Sequence, residues 1–260
     1  MNRREWMKQT VMGAMLPAWV ASSASAQGDR FKEPNGKKGW AGGDAGRIEK
    51  FGAQWYYTWW HGGKVGSPAE YVPMIKRGSD IGNLGAVKGM GDIKAILSFN
   101  EPERADQGNT SIDDAIKLWP RLVEVAEAKN VPLSSPAPSS DDKGMQWLTE
   151  FMKRAKREKL RVDFIAIHWY RSRDADAFAT WLKEIDREWR LPIWLTEFNG
   201  WSGSERENYA FLRSALRTLD RSRSVERYAY FEPGRGKEHS LFKEDGSLSR
   251  MGELYRDAGV

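Results

Sequence analysis

Two glutamates follow largely apolar runs of the kind that form buried strands. Glu101 stands in SFNEP (residues 98–102), after the run 93–99, and Glu197 follows the run 191–196. A carboxylic acid at such a strand end can donate a proton to a departing glycosidic oxygen, while a second carboxylate attacks the sugar or activates water. The pair predicts the chemistry of a glycoside hydrolase, with Glu101 as the proton donor and Glu197 as its partner.

The distance between the two carboxyl groups decides the stereochemical outcome. A separation of about 5–5.5 Å supports retention through a covalent glycosyl-enzyme, and about 6.5–9.5 Å leaves room for a water molecule and gives inversion. The spacing in the chain leaves both open. We expect burial and the negative charge of Glu197 to raise the pKa of Glu101, so that Glu101 enters the reaction protonated.

The elements that must position these glutamates are predicted strands that alternate with amphipathic helices. Eight strand candidates are predicted, and a count of eight favours closure into a single (β/α)8 TIM barrel. An open, doubly wound sheet is the alternative. The predicted strands are residues 39–42, 54–60, 71–75, 93–99, 131–135, 162–169, 191–196 and 226–231.

In such barrels the active site lies at the carboxyl ends of the strands. Rings in the barrel mouth can stack on sugars, and polar groups beside them can bind hydroxyls. For the rings an ordinary core role remains the alternative, as does a structural role for the histidine. The positions where we expect substrate contact are Asn100, Tyr56, Trp59, Trp60, Ser135, His168, Trp169, Tyr170, Trp201 and Phe231.

Composition argues against several other kinds of site. The three histidines show no metal-ligand spacing and the chain has no cysteine, so we predict no catalytic metal and no cofactor. The glycines at 39, 42 and 43 lack the strand and long helix of a dinucleotide-binding loop. A net charge of +5, with 36 acidic residues, is too small to indicate nucleic-acid binding.

The first 26 residues have the pattern of a twin-arginine export signal. Arg3 and Arg4 precede a short apolar segment and the sequence ASA at residues 24–26, after which we expect cleavage. A membrane helix is the alternative, but the apolar segment contains Pro17 and is shorter than the ~20 residues that span a bilayer. We therefore expect a periplasmic or secreted monomer, detached from the membrane, with one catalytic domain at 27–260.

Four segments, in their order and spacing, resemble glycoside hydrolase family 128, a clan-A (β/α)8 family of endo-β-1,3-glucanases. They are SFNEP at 98–102, VDFIAIHWY at 162–170, IWLTEF at 193–198 and ERYAYF at 226–231. The shorter supporting segments are WYYTW at 55–59, YVPM at 71–74, SPA at 135–137, SLF at 240–242 and DGSL at 245–248. The resemblance covers roughly residues 39–255, nearly the whole chain after the predicted signal.

This resemblance implies a retaining mechanism on β-1,3-glucan, with Glu101 as acid/base, Glu197 as nucleophile and Asn100 bonded to the sugar 2-hydroxyl. The chain departs from the expected pattern at Thr58, where many members have asparagine, and at Glu232, where a small residue is common. Two alternatives remain open: a clan-A glycosidase for a β-1,4-glucan or mannan, and a non-catalytic glycan-binding barrel.

Overall fold

The computed structural model describes residues 35–259, and a parallel sheet forms the centre of this part of the chain. The predicted export signal, residues 1–26, lies outside the described residues. Within residues 35–259, no helix has the length and apolar character needed to cross a bilayer.

Six regular strands run parallel in the spatial order β3-β2-β1-β6-β5-β4. The strands are β1 (Lys38–Ala41), β2 (Trp55–Tyr57), β3 (Glu70–Tyr71), β4 (Ile165–Trp169), β5 (Ile193–Phe198) and β6 (Val225–Tyr230). Every pair in this order is parallel, as expected when a helical connection separates consecutive strands.

Two irregular extended segments, residues 93–100 and 131–137, connect the open edges of this sheet. Single parallel bridges join Met74 to Leu97, Ile96 to Leu133, and Ser134 to Phe164. These bridges carry the wall from the end of β3 to the start of β4, so the chain has eight strand positions and the predicted (β/α)8 barrel is confirmed. Prolines at 73, 132 and 136 lack the N–H that a regular ladder needs, which explains why these positions form isolated bridges.

The helices form the outer layer and begin at polar caps. The side chains of Ser111, Asp141 and Ser204 each accept a hydrogen bond from the backbone N–H three residues later. A 3₁₀ turn spans Gly78–Asn83. The α-helices are α1 (Ala45–Lys50), α2 (Leu84–Gly89), α3 (Ile112–Lys129), α4 (Asp142–Arg157), α5 (Ala175–Trp189), α6 (Glu205–Arg221) and α7 (Arg250–Arg256).

Alternate side chains on each strand face the barrel interior or the helices. Trp55 and Tyr57 belong to the buried cluster that includes Leu97, Phe164 and Trp194, and this cluster fills the barrel. Tyr56, between them, packs in the separate cluster against the helices. Because the side-chain period of a strand is two, this alternation decides which aromatic rings reach the barrel mouth.

An arginine–glutamate pair occupies the amino-terminal end of the barrel. Arg227 donates two hydrogen bonds to Glu70, at 2.9 and 2.8 Å, and its guanidinium lies 4.2 Å from the ring centre of Trp194. The two side chains are only 18% and 23% exposed. A two-bond pair shielded in this way fixes the start of β3 against β6.

We expect Arg227→Met to lower the free energy of unfolding by about 2–3 kcal/mol, because Glu70 is left charged and without its main partner. Urea denaturation measures this change. The double variant Arg227→Met/Glu70→Gln is the control, and it should recover part of the loss because the unpaired charge is gone. An unchanged urea midpoint in the single variant would contradict the prediction.

Candidate active site

Glu101 follows the extended segment 93–100 in a left-handed backbone conformation, with φ 42°. Its N–H donates to the carbonyl of Ala137, and its carbonyl accepts from the N–H groups of Arg104 and Gly108. A Cβ on Gly108 would lie 2.3 Å from the carbonyl oxygen of Asn100, so only glycine permits this close approach. The backbone around Glu101 is therefore held from three directions.

Glu197, on β5, accepts hydrogen bonds from three aromatic side chains. Its Oε1 accepts from the Tyr57 hydroxyl at 3.1 Å and the Trp59 Nε1–H at 2.7 Å, and its Oε2 accepts from the Tyr170 hydroxyl at 2.6 Å. Burial, and then the charge of Glu197, raise the pKa of Tyr57 and Tyr170 well above the ordinary value, so both phenols keep their protons. These neutral donors hold the Glu197 carboxyl group in one orientation.

His168, on β4, lies between the two glutamates with its side chain fully buried. Its Nδ1 is 3.2 Å from Glu101 Oε1 in hydrogen-bond geometry. Its Nε2 is 3.4 Å from Glu197 Oε1, but no acceptor in the described chain meets hydrogen-bond geometry there. The second contact is therefore electrostatic, and one imidazole touches both carboxylates.

Each carboxylate oxygen of Glu101 has a basic side chain beside it. Burial favours its neutral form, but the hydrogen bond from His168 and the charges of His168 and Arg104 outweigh burial, and the pKa of Glu101 lies below its ordinary value. Arg104 Nε lies 3.7 Å from Glu101 Oε2, while its Nη2 donates to Asp141 at 2.8 Å. The expectation that Glu101 has a raised pKa is therefore wrong for the free protein.

Burial disfavours charge on His168 as well, but three carboxylates oppose that effect. The charge of Glu197, the hydrogen bond and charge of Glu101, and the charge of Glu103 together raise the pKa of His168 above its ordinary value. The pKa of Glu101 is thus lowered and that of His168 is raised. Both shifts favour a carboxylate beside an imidazolium.

Both glutamates line one cleft of about 730 Å³ at the carboxyl ends of the strands. Its aromatic lining consists of Trp59, Tyr170, Trp201 and Phe231. Its polar lining consists of Asn100, Glu101, Arg104, Asp106, Gln107, Ser139, Ser140, Asp141, Asp142, Arg171 and Glu197. A cleft lined by both aromatic rings and polar groups suits a ligand with apolar faces and many hydroxyls.

Asn100 and Trp201 each have a feature that fits them to face a ligand. Asn100 is 3% exposed, and its Oδ1 has no hydrogen-bond partner among the described residues. Trp201 is 59% exposed, with φ 63°, and its N–H donates to the Asn199 side chain. One residue offers a free acceptor and the other an open ring face.

Five predicted contact residues do not line this cleft, and one of them, His168, is buried between the two glutamates. Tyr56 faces the helices, and its hydroxyl bonds the backbone of Val65. Trp169 also faces the helices. The Ser135 hydroxyl donates to the carbonyl of Pro136 and accepts from the N–H of Ala166, so it is bonded within the barrel wall. Trp60 is exposed and packs on His61 outside the cleft lining. The predictions for Tyr56, Trp169 and Ser135 are wrong as direct contacts, because these side chains point away from the cleft.

Tyr57 and Arg104 are site residues that the sequence reading missed. Strand alternation could have found Tyr57, since it lies two residues before Trp59 and shares its face. Arg104 lies three residues after Glu101, but the turn that brings it back toward the carboxylate has no clear pattern. Among residues 35–259, no group of three or more His, Asp or Glu side chains is arranged to hold a metal ion.

Comparison with known proteins shows similarity over most of the chain. The family model described as the glycosyl hydrolase catalytic core matches residues 38–255. The crystal structure of a GH128 (subgroup I) endo-β-1,3-glucanase from Amycolatopsis mediterranei, in complex with laminaritriose, aligns with a TM-score of 0.73. It is 30% identical and covers 86% of this chain and 100% of its own.

Two further relatives come from fungi. A GH128 (subgroup III) curdlan-specific exo-β-1,3-glucanase from Blastomyces gilchristii, in complex with glucose, has a TM-score of 0.71 and 30% identity, covering 86% of this chain and 99% of its own. Alkali-sensitive linkage protein 1 of Schizosaccharomyces pombe is 33% identical over 244 residues, or 85% of this chain. The chain spans only 44% of that relative's length.

Proposed function

Because the chain belongs to glycoside hydrolase family 128, as the sequence motifs indicated, we propose that it is a retaining endo-β-1,3-glucanase. The observation that carries this proposal is the contrast between two carboxylates in one cleft. Glu197 is enclosed by neutral donors, whereas Glu101 is more exposed and has cationic neighbours. One carboxylate is held in position to attack, and the other is placed to exchange a proton.

In the first half of the reaction, Glu101 protonates the glycosidic oxygen while Glu197 attacks the anomeric carbon. Tyr57, Trp59 and Tyr170 hold the attacking carboxylate in one orientation, which lowers the entropic cost of reaching the transition state. Asn100 lies beside Glu101 with a free amide oxygen, and we assign to it the sugar 2-hydroxyl. The products are a shortened glucan and a glycosyl ester on Glu197.

In the second half, Glu101 is a carboxylate and removes a proton from the incoming water. Water attacks the anomeric carbon from the face that the leaving group vacated, and Glu197 departs as an anion. Two inversions give net retention. The side chains of Trp59, Tyr170, Trp201 and Phe231 form the wall on which we expect glucose rings to stack.

A substrate screen tests the proposal. The purified protein should release reducing sugar from laminarin and curdlan, and release little from carboxymethyl-cellulose or mannan. Activity confined to the β-1,4-linked polymers would contradict the assigned linkage. Binding of laminarin without any hydrolysis would instead support the non-catalytic glycan-binding alternative.

Product analysis tests the pattern and the stereochemistry. An endo-acting enzyme should give oligosaccharides of several lengths from the first minutes, and glucose as the sole early product would indicate exo action. Proton NMR should show the β-anomer of the new reducing end before mutarotation. Initial formation of the α-anomer would contradict the retaining mechanism.

We expect Trp59→Phe to lower kcat on laminarin by about 10–100-fold, because Glu197 Oε1 loses its shorter hydrogen bond and the carboxylate is less well oriented. Phenylalanine keeps an aromatic wall in the cleft, so KM should change little. Phe231→Leu is the matched control, since Phe231 lines the same wall without contacting Glu197. Equal effects of both substitutions on kcat would contradict the orienting role of the indole N–H.

We also propose that residues 1–26 are a cleaved twin-arginine signal and that the mature protein is a periplasmic or secreted monomer. The support is the Arg3-Arg4 pair, the apolar segment and the ASA sequence at 24–26. N-terminal sequencing of the exported protein should begin at Gln27, and Arg3→Lys/Arg4→Lys should block export. Light scattering measures its mass in solution.

A further inference from the structure

A bulge between β4 and β5 places His168 beside Glu197. Ile167 pairs with Leu195, but the next residue, His168, pairs with Glu197, so the register skips Thr196. Paired residues of neighbouring strands face the same side, and a bulge of this kind redirects a side chain. The irregularity therefore brings the imidazole into the mouth with the glutamate rather than with the threonine.

Three carboxylates are the charged groups that act most strongly on His168. Glu197 comes from β5, and Glu101 and Glu103 come from the turn after residues 93–100. The other groups near the pair are the protonated phenols of Tyr57 and Tyr170, and Arg104 with its partner Asp141 beyond Glu101. A buried imidazole with these neighbours is best accommodated as a cation.

This arrangement conflicts with the role of Glu101, because a carboxylate flanked by two cations has no proton to give. We propose that His168 is a positioning residue that holds the catalytic proton in the free enzyme and passes it from Nδ1 to Glu101 Oε1 when glucan fills the cleft. The inference rests on the proposed function of the same site. The 3.2 Å hydrogen bond between these two atoms is the path of transfer.

The proton balance closes over one turnover. The free enzyme has Glu101 and Glu197 as carboxylates and His168 protonated on both nitrogens. Transfer of the Nδ1 proton gives neutral His168 and neutral Glu101, and Glu101 then gives this proton to the departing glycosidic oxygen as Glu197 forms the ester. Glu101 next takes a proton from the attacking water, Glu197 leaves as a carboxylate, and the proton returns from Oε1 to Nδ1.

Substrate provides the reason for the transfer. Sugar rings in the cleft remove water from Glu101, and a neutral acid beside a neutral imidazole tolerates a dry site better than two separated charges do. The contact between Nε2 and Glu197 Oε1 also weakens as Glu197 loses its charge in forming the ester. The first change moves the proton to Glu101 before the bond breaks, and the second keeps His168 neutral while Glu101 acts as the base.

Histidine NMR on the wild-type protein is the first test. The chain has three histidines, at 61, 168 and 239, so ¹⁵N-labelled imidazoles give few signals to assign. We expect His168 to show two protonated nitrogens at pH 7 in the free protein. A neutral His168 at this pH would overturn the proposal, and no variant has to fold for this measurement.

The second test compares His168→Asn with wild type on two substrates. Asparagine places an amide N–H close to the position of Nδ1, but this amide is too weak an acid to transfer a proton to Glu101. On laminari-oligosaccharides we expect kcat/KM to fall by about 100-fold or more. On 2,4-dinitrophenyl β-laminaribioside, whose leaving group needs no proton, kcat/KM should stay within about threefold of wild type.

His168→Gln serves as the second variant, and Tyr170→Phe as the control that disturbs Glu197 without touching Glu101. Tyr170→Phe should slow both substrates to a similar extent. Equal losses on both substrates in the His168 variants would show that His168 has only a structural role. Full activity on both substrates would show that it has no role in catalysis. Wild-type protein inactive on both substrates would instead reject the proposed function itself.

Discussion

Turnover of β-1,3-glucan should fall by about 10⁴–10⁶-fold in Glu197→Gln, the range that loss of a catalytic residue produces in other hydrolases. Glutamine has the shape of glutamate, and its amide oxygen can still accept from Tyr57 and Trp59 while its NH₂ faces the Tyr170 hydroxyl. The variant loses the charge that attacks the anomeric carbon and keeps the packing. We therefore expect polysaccharide affinity to be largely retained.

Reducing-sugar release and calorimetric binding of laminari-oligosaccharides measure the two parts of this prediction. Glu197→Ala in the presence of azide sharpens it, because azide then attacks from the face that the carboxylate occupied and the product is an α-glycosyl azide. Near-normal turnover in Glu197→Gln would remove Glu197 from the mechanism. A β-glycosyl azide from the alanine variant would show that the two glutamates have the opposite roles.

The second large effect concerns Glu101→Ala, which should cleave unactivated glucan about 10²–10⁴-fold more slowly than wild type. The dinitrophenyl laminaribioside needs no protonation of its leaving group, so its first step should remain fast. Without a base the ester on Glu197 then persists, and we expect an initial burst followed by slow release. Mass spectrometry of the protein during the burst should show the added sugar.

Azide should accelerate the slow release in Glu101→Ala and give a β-glycosyl azide, since the small anion needs no general base. Gln107→Ala is a suitable control, because Gln107 lines the cleft without contacting either carboxylate. Equal slowing of both substrates, with no burst, would contradict the assignment of Glu101 as acid/base. Together with the His168 variants, this comparison separates the residue that transfers the proton from the residue that stores it.

The environment of Glu101 has a consequence for pH dependence. Its pKa is lowered in the free protein, whereas that of His168 is raised, so Glu101 loses its proton first as the pH rises and His168 keeps its proton above its ordinary pKa. We expect the alkaline fall of kcat/KM on glucan to reflect His168, and this fall should be absent with the dinitrophenyl substrate. Because the two carboxylates and the imidazole interact, the apparent pKa of this alkaline fall describes the three groups together.

The sequence by itself determined the barrel and the two glutamates at its mouth. Apolar runs that alternate with amphipathic helices leave few other topologies, and the carboxyl ends of parallel strands meet at one face. The sequence alone therefore predicted that Glu101 and Glu197, although distant in the chain, lie at the same end of the barrel. Helix caps such as that of Ser111 depend only on the local sequence, because the interaction spans three residues.

The tertiary structure alone decided which side chains surround each glutamate. Tyr57 rather than Tyr56 reaches Glu197 because the pairing between strands sets the phase of the pleat, and that pairing is long-range. His168 faces the site because one register shift precedes it, and Arg104 returns to Glu101 through a turn without a regular pattern. These contacts set the charge of each group, so the direction of the Glu101 pKa could be judged only after folding.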